Sequence, residues 1–146
     1  MKTTLLIFLF SFLSIFANAA VSNLTVKELL AKTKITDLPK LAIDFSTNAS
    51  KFHAKGDFKN ALLNYKKSIE IRKAIGLENS AGNANTLHLK SIVEHKLDDS
   101  CSAVSSIKEA IQVYNFLSMT KEAMEAEKEN LREFRKLCNT AKLTQN

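Results

Sequence analysis

The reactive side chains in this sequence are two cysteines, Cys101 and Cys138, and three histidines, His53, His88 and His95. No Cys-x-x-Cys motif is present, so the cysteines do not indicate redox catalysis. No serine stands in a Gly-x-Ser-x-Gly elbow, and no glycine-rich loop is available to hold a phosphate. We therefore predict that the protein is not an enzyme and uses no cofactor. The cysteines and histidines must then serve structure or binding.

Helices are the elements that must position these residues. The sequence has three glycines, one proline and no tryptophan, and is rich in alanine, leucine, lysine and glutamate. Because strong helix formers are abundant and turn residues are scarce, we expect an all-α protein. Apolar stripes and capping residues predict helices at about 25–34, 37–56, 57–76, 83–97, 98–117 and 121–138.

The two cysteines fall on neighbouring helices that we expect to be antiparallel. Cys101 is near the start of one and Cys138 near the end of the next, each about eighteen residues from the turn at 118–120. Antiparallel packing places them at similar height, so in an oxidising compartment we expect a disulfide, worth about 2–4 kcal/mol. The alternative is a pair of unpaired buried thiols.

Residues 1–19 have the pattern of a signal peptide. Lys2 supplies a positive charge, an apolar run extends over 5–16, and Ala17-Asn18-Ala19 offers the small residues of a cleavage site. The alternative is a transmembrane anchor, but the run is shorter than the roughly 20 apolar residues that a bilayer span needs. We expect an exported protein, periplasmic or extracellular.

A repeat of forty-two residues runs through the rest of the chain. Ala42, Asp57, Ala61, Lys66 and Ile69 recur as Ala84, Asp99, Ala103, Lys108 and Ile111, and Ala81, Ala84 and Leu89 recur as Ala123, Ala126 and Leu131. A fixed period of this size indicates stacked units, none of which can bury its apolar face alone. We predict a repeat domain at 37–141, after an N-terminal segment with a short helix at 20–36 and before a polar tail at 142–146.

One stretch of this repeat resembles a known family. The spacing of six residues is similar to the tetratricopeptide repeat: Ala49, Phe52, Gly56, Phe58, Ala61 and Tyr65. The second copy keeps Asp99 and Ala103 but has Asp98 and Ser100 where the first has glycine and phenylalanine. The resemblance covers about 42–138 and implies antiparallel helix-turn-helix repeats, an α-solenoid with a C-terminal capping helix. A generic antiparallel helix bundle would share the apolar stripes but not the period.

The resemblance also implies a binding groove lined by the first helix of each repeat. The positions carried over are Ile43, Ser46, Ser50, His53, Asn85, His88, Ile92 and His95. A protein or peptide partner is the expected ligand. Three histidines near one groove raise the question of a metal, but neighbouring helices stand about 8–10 Å apart, so we predict no metal site.

A second candidate surface is basic, in a chain of formal net charge +6. Its residues are Lys59, Lys66, Lys67, Arg72 and Lys73. A solvated helix face is the simpler interpretation, and no nucleic-acid motif accompanies the charge. The alternative hypothesis for function rests on this face: an envelope-associated structural subunit that contacts an anionic membrane surface.

Overall fold

A computed structural model of the protein describes residues 24–143. The predicted signal peptide, the start of the segment at 20–36 and the last three residues of the tail lie outside the described residues. Within them every regular element is helical and no strand is present. The chain divides into two compact units, with the boundary after Ile35.

The first unit contributes helix α1, Val26–Lys32, to the described chain. The predicted capping box is present. The hydroxyl of Thr25 accepts from the amide of Glu28 at 3.3 Å, and the amide of Thr25 donates to the Glu28 carboxylate at 2.8 Å. These bonds satisfy amides that have no partner inside the helix. The helix ends two residues before the predicted Lys34, because Thr33 is already extended.

The second unit contains five helices after the 3-10 turn Ile35–Asp37. These are α2 (Leu38–Ala54), α3 (Phe58–Ala74), α4 (Ala81–Lys96), α5 (Ser100–Phe116) and α6 (Glu125–Leu143). Each helix packs on the next along the chain, and α2 also touches α4. This arrangement confirms the predicted all-α helical-repeat fold.

The backbone repeats with the sequence at the helix ends. Gly56 after α2 and Asp98 after α4 both have positive φ, 76° and 61°, and stand forty-two residues apart. Gly76 after α3 and Ser118 after α5 form a second such pair, with φ of 74° and 55°. A left-handed residue ends a helix by reversing the chain, and glycine takes this conformation without strain. The second copy therefore keeps the turn geometry with residues less suited to it.

The helix starts repeat as well. Asp57 caps α3 by accepting from the amide of Asn60 at 3.2 Å, and Asp99 caps α5 by accepting from the amide of Ser102 at 3.0 Å. Hydrogen bonds to this carboxylate lower the pKa of Asp99. Aspartate suits this position because it accepts from an otherwise unpaired amide at the positive end of the helix.

The sequence repeat does not extend structurally to its third copy. Ala42 and Ala84 are completely buried, but Ala126, their counterpart in α6, is exposed. Ala123, predicted to be helical, lies in the turn before α6. Helix α6 instead buries the stripe of Glu127, Phe134 and Cys138. It is therefore turned relative to the first helices of the two repeats, as a cap is.

Small residues allow close helix packing at two places. Ala61 has no exposed surface and shares a cluster with Ala49, Tyr65 and Val93, which joins the two repeats. Ala103 is equally buried and packs with Ile107 of α5 and Phe134 of α6 in another cluster. Both alanines thus lie in tightly packed clusters, and a larger side chain there would overpack the core.

Candidate binding surface

Helix α2 supplies the most open part of the predicted groove. Ile43 is 56% exposed, which is high for an isoleucine outside a terminus or a loop. The hydroxyl of Ser46 donates to the Ile43 carbonyl at 2.9 Å, and that of Ser50 lies 3.1 Å from the hydroxyl of Tyr65. Burial raises the pKa of Tyr65. The serine hydroxyls are therefore held by the fold, and Ile43 is the free contact that α2 offers.

Helix α4 divides its groove positions between solvent and α6. Asn85 is exposed and Ile92 is half-buried. The ring of His88 faces α6 instead: its Nδ1 is 2.8 Å from Oε1 of Glu127, and its Nε2 is 3.3 Å from the amide of Asn130. His88 therefore joins the cap to the second repeat and is not an open groove residue.

His95 is also directed toward the cap. Its ring stacks at a tilt on Phe134 of α6, with ring centres 4.8 Å apart, and its Nδ1 is 3.3 Å from the hydroxyl of Ser100. His53, one period earlier, has its ring edge against Phe58. The three histidines thus have separate partners. No group of three potential metal ligands is formed among residues 24–143.

The exposed remainder, Ile43, Ser50 and Asn85, together with the half-buried Ser46 defines what we call the α2–α4 surface. Ile43 and Asn85 are equivalent positions of the two repeats, one period apart. The cap adjoins this surface through His88. The surface left open is therefore shorter than the eight predicted positions imply, because α6 packs along the side of α4 that carries His88 and His95.

The predicted basic face is wrong for two of its five members. Lys67 is 8% exposed, and its ammonium lies 5.5 Å from the centre of the Phe45 ring. Burial lowers the pKa of Lys67, opposed by the nearby charge of Glu70. Arg72 is 6% exposed and donates from Nη1 to the hydroxyls of Ser68 and Thr86. Arg72 lies seven residues after Tyr65, on the same inner stripe of α3. Lys67 lies on another buried side of this helix, where it packs on Phe45 of α2.

The other three members, Lys59, Lys66 and Lys73, are exposed. Lys73 reaches across to α5 and forms an ion pair of 2.7 Å with Glu109. Beside this pair lie two clefts between α3 and α5, of about 590 and 370 Å³, and Lys73 and Glu109 line both. Their walls carry charges of both signs, so this face has no uniform basic character.

A buried polar network that the sequence did not predict joins α4 to α5. The ammonium of Lys90 lies 2.6 Å from both the Glu94 carboxylate and the Ser106 hydroxyl, and Ser106 donates to Glu94 at 2.5 Å. Each group satisfies the others, so the charges are compensated. The burial of Glu94 was not predicted from the sequence. The spacing of four residues between Lys90 and Glu94 is the signal that indicates their ion pair.

A second missed feature is the carboxylate of Glu127. Glu127 is 6% exposed. The Oε2 atom of its carboxylate has no hydrogen-bond partner among the described residues. Burial and the charge of this carboxylate raise the pKa of Tyr114. The spacing of Glu127 from Phe134, seven residues on, placed it on the inner stripe of α6. Glu125 and Glu129 on either side of it in the sequence are typical of a solvated helix face instead.

The structure brings the two cysteines together as predicted. Their Cα atoms are 4.8 Å apart and their sulfurs are at disulfide-bonding distance, which joins the start of α5 to the end of α6. Cys138 is buried. The level antiparallel arrangement inferred from the turn position is confirmed. The pair fastens the cap at the end opposite to the turn that connects it to α5.

No protein-family model matches this chain, and neither the curated proteins nor the solved structures contain a match. Among the helices of residues 24–143, none has the length and apolarity that crossing a membrane requires.

Proposed function

We propose that this protein is an exported, non-catalytic interaction module that binds a segment of a partner protein on the α2–α4 surface. The exposure of Ile43 in the middle of a regular helix carries the proposal. Burying an isoleucine side chain is favourable by about 1.5–3 kcal/mol, so a partner that covered Ile43 would gain free energy of this order. Asn85 at the equivalent position adds an amide that can both donate and accept.

The proposal includes kinship with the tetratricopeptide repeats, as a variant with longer helices. Its support is the burial of Ala49 and Ala61 and the left-handed turn at Gly56, which are the features that the resemblance implies. Export rests on the pattern of residues 1–19. Intact-mass measurement of the secreted protein tests export, with a mature chain beginning at Ala20 as the expected result.

Selection of random linear peptides displayed on phage tests binding to the α2–α4 surface. We expect peptides that bind the wild-type protein and lose binding to Ile43→Glu and to Asn85→Glu. Both residues are exposed, so neither change should disturb the fold. The matched control is Lys108→Glu on α5, which is exposed and outside this surface.

A photo-crosslinking residue at position 43 then maps the contact on the protein itself. The selected peptide should crosslink from position 43 and not from position 108. Peptides that bind both groove variants as well as the wild type would refute the proposal.

The rival function, contact with an anionic membrane surface, has less support because the basic face has lost two of its five cations to the core. Binding to vesicles of anionic phospholipid decides between the two. Surface binding through Lys59, Lys66 and Lys73 should disappear as salt shortens the screening length, whereas binding at Ile43 should persist.

A further inference from the structure

Arg72 is a buried cation without a countercharge. Its guanidinium lies between α3 and α4, and Nη1 donates to the hydroxyls of Ser68 and Thr86, the latter at 3.1 Å. Both hydroxyls are themselves engaged as donors, to carbonyls of Ala42 and Gly82. Among the described residues, no carboxylate forms an ion pair with Arg72, and its Nε and Nη2 have no hydrogen-bond partner.

Burying an uncompensated charge is unfavourable, and Lys90 in the same chain shows how a buried charge is usually compensated. Taking a charge out of water is unfavourable by several kcal/mol unless an opposite charge and hydrogen bonds compensate it. Lys90 has that compensation in the neighbouring network, where Glu94 supplies the negative charge. Within the described chain Arg72 has only hydroxyl partners, and its Nε and Nη2 keep contact with solvent, because the buried side-chain atoms without a partner are Asn83 Oδ1 and Glu127 Oε2. A guanidinium is always protonated near neutral pH, so Arg72 cannot escape the cost by losing its proton.

The two partnerless nitrogens face the N-terminus of α4. A side chain added at Gly82 would place its Cβ 3.6 Å from Nη2 and 3.7 Å from Nε of Arg72. Gly82 is exposed and is the second residue of this sixteen-residue helix. The cap residue Ser80 satisfies the amide of Asn83 at 3.2 Å. The amides of Ala81 and Gly82, earlier in the turn, have no partner among the described residues.

We propose that Nε and Nη2 of Arg72, with the amides of Ala81 and Gly82, form a binding site for a small oxyanion, a phosphate or a carboxylate. The planar guanidinium offers two parallel N–H groups to two oxygens of such a group. The helix N-terminus adds unpaired amides and a partial positive charge. The absence of a side chain at Gly82 leaves the approach open. The bound anion supplies the charge that the chain itself does not provide.

This inference stands apart from the proposed peptide binding. The site is formed at the junction of α3 and α4, with Thr86 and Gly82 on the flank of α4 that meets Arg72. It contains neither Ile43 nor Asn85, and its test needs no peptide. Either proposal can therefore fail without the other.

Titration of the disulfide-bonded protein with inorganic phosphate, followed by ¹⁵N NMR, tests the site. We expect saturable shifts of the Ala81 and Gly82 amides and of the Arg72 Nε resonance, with a dissociation constant on the order of 1 mM. Sodium chloride at matched ionic strength should not reproduce them. A parallel titration with sodium acetate distinguishes the ligand: a stronger response to phosphate indicates a phosphoryl group, and an equal or stronger response to acetate indicates a carboxylate.

Two variants make the test specific. Arg72→Gln should weaken phosphate binding by about ten- to a hundredfold, the usual value of a charged hydrogen bond. Because Arg72 is buried, this variant also loses the hydroxyl contacts of the side chain and is destabilised, so Gly82→Ala is the decisive one. Its methyl group would meet Arg72 only at ordinary contact distance, and alanine favours the helix, so the variant should fold at least as well.

The Gly82→Ala protein should nevertheless lose the phosphate response, because the methyl group, 3.6 Å from Nη2 of Arg72, would occupy the space that the anion needs. The control is Lys73→Gln, which removes a neighbouring exposed charge outside the site and should bind phosphate like the wild type. Three results would overturn the proposal: no saturable shift in the wild type, equal responses in wild type and Gly82→Ala, or loss of the response in Lys73→Gln.

Discussion

Removing the bond between Cys101 and Cys138 should release the cap before it affects the repeats. The two cysteines are separated by 37 residues, for which the chain-entropy treatment of crosslinks gives about 4 kcal/mol. Small domains have a total stability of about 5–15 kcal/mol, so this bond accounts for a large part of it. The stripe that would be uncovered on α6 includes Phe134, which is 2% exposed.

Denaturant unfolding of oxidised wild type, reduced wild type and the double variant Cys101→Ala/Cys138→Ala measures this contribution. Reduced wild type keeps both sulfur atoms, so its loss of about 3–4 kcal/mol reports the crosslink alone. The double variant adds the packing of the buried Cys138 sulfur. Amide hydrogen exchange locates the effect: protection should fall first in α6, while amides of α3 keep theirs.

The reasoning would be refuted in either of two ways. A loss below about 1 kcal/mol on reduction would mean that α6 is held by its own packing and that the closure entropy does not apply. Equal loss of protection in α3 and α6 would mean that the cap and the repeats unfold as one body. Peptide mapping without reductant, on protein from its native compartment, must also show the linked pair.

The remaining predictions concern packing and helix ends. Ala84→Leu should destabilise the protein by about 1–3 kcal/mol through overpacking. Ala126→Leu, at the counterpart position of α6, should change stability by less than about 0.5 kcal/mol. Thermal unfolding of the two variants tests whether the structural repeat ends before α6. Asp99→Ala should lose about 1 kcal/mol of helix-capping stability at neutral pH. Because the folded-state pKa of Asp99 is lowered, its wild-type advantage should be present above the ordinary value of 3.8 and disappear as the pH falls below it, which unfolding at pH 7 and at lower pH will show. Asp98→Gly should stabilise by about 0.5–1 kcal/mol, since Asp98 has the positive φ that glycine adopts without strain at Gly56; an unchanged or lower melting temperature would contradict this.

The parts of the fold that local chemistry determines were predictable from the sequence. Asp57, Asp99 and the Thr25 capping box mark helix starts because the capping bond spans three residues. The helix ends at Gly56 and Gly76 were predictable because glycine adopts positive φ without strain. Cys101 and Cys138 could be predicted to lie at the same height, because each is about the same number of residues from the turn and all α-helices have the same rise per residue.

Tertiary contacts that contradict residue type were not predictable in the same way. Arg72 and Glu127 are charged and would be expected at the surface, but each lies on the inner stripe of its helix. The helical spacing of Arg72 from Tyr65 carried that information, and it competed with the general rule that charged residues are solvated. The turn of α6 about its own axis depends on how it packs against α4 and α5, which a repeat in the sequence does not report.

The sequential packing of the five helices has a consequence for folding speed. Each helix has its main contacts with its neighbours along the chain, so most native contacts close short loops. Proteins with such low contact order fold in microseconds to milliseconds, far faster than sheets of similar stability. The α2–α3 hairpin can form before α5 and α6 have been synthesised, which leaves thiol oxidation, a process of seconds to hours, as the slow step of maturation. A newly made chain should therefore exist for a time as a folded dithiol, with its repeats assembled and its cap not yet fastened.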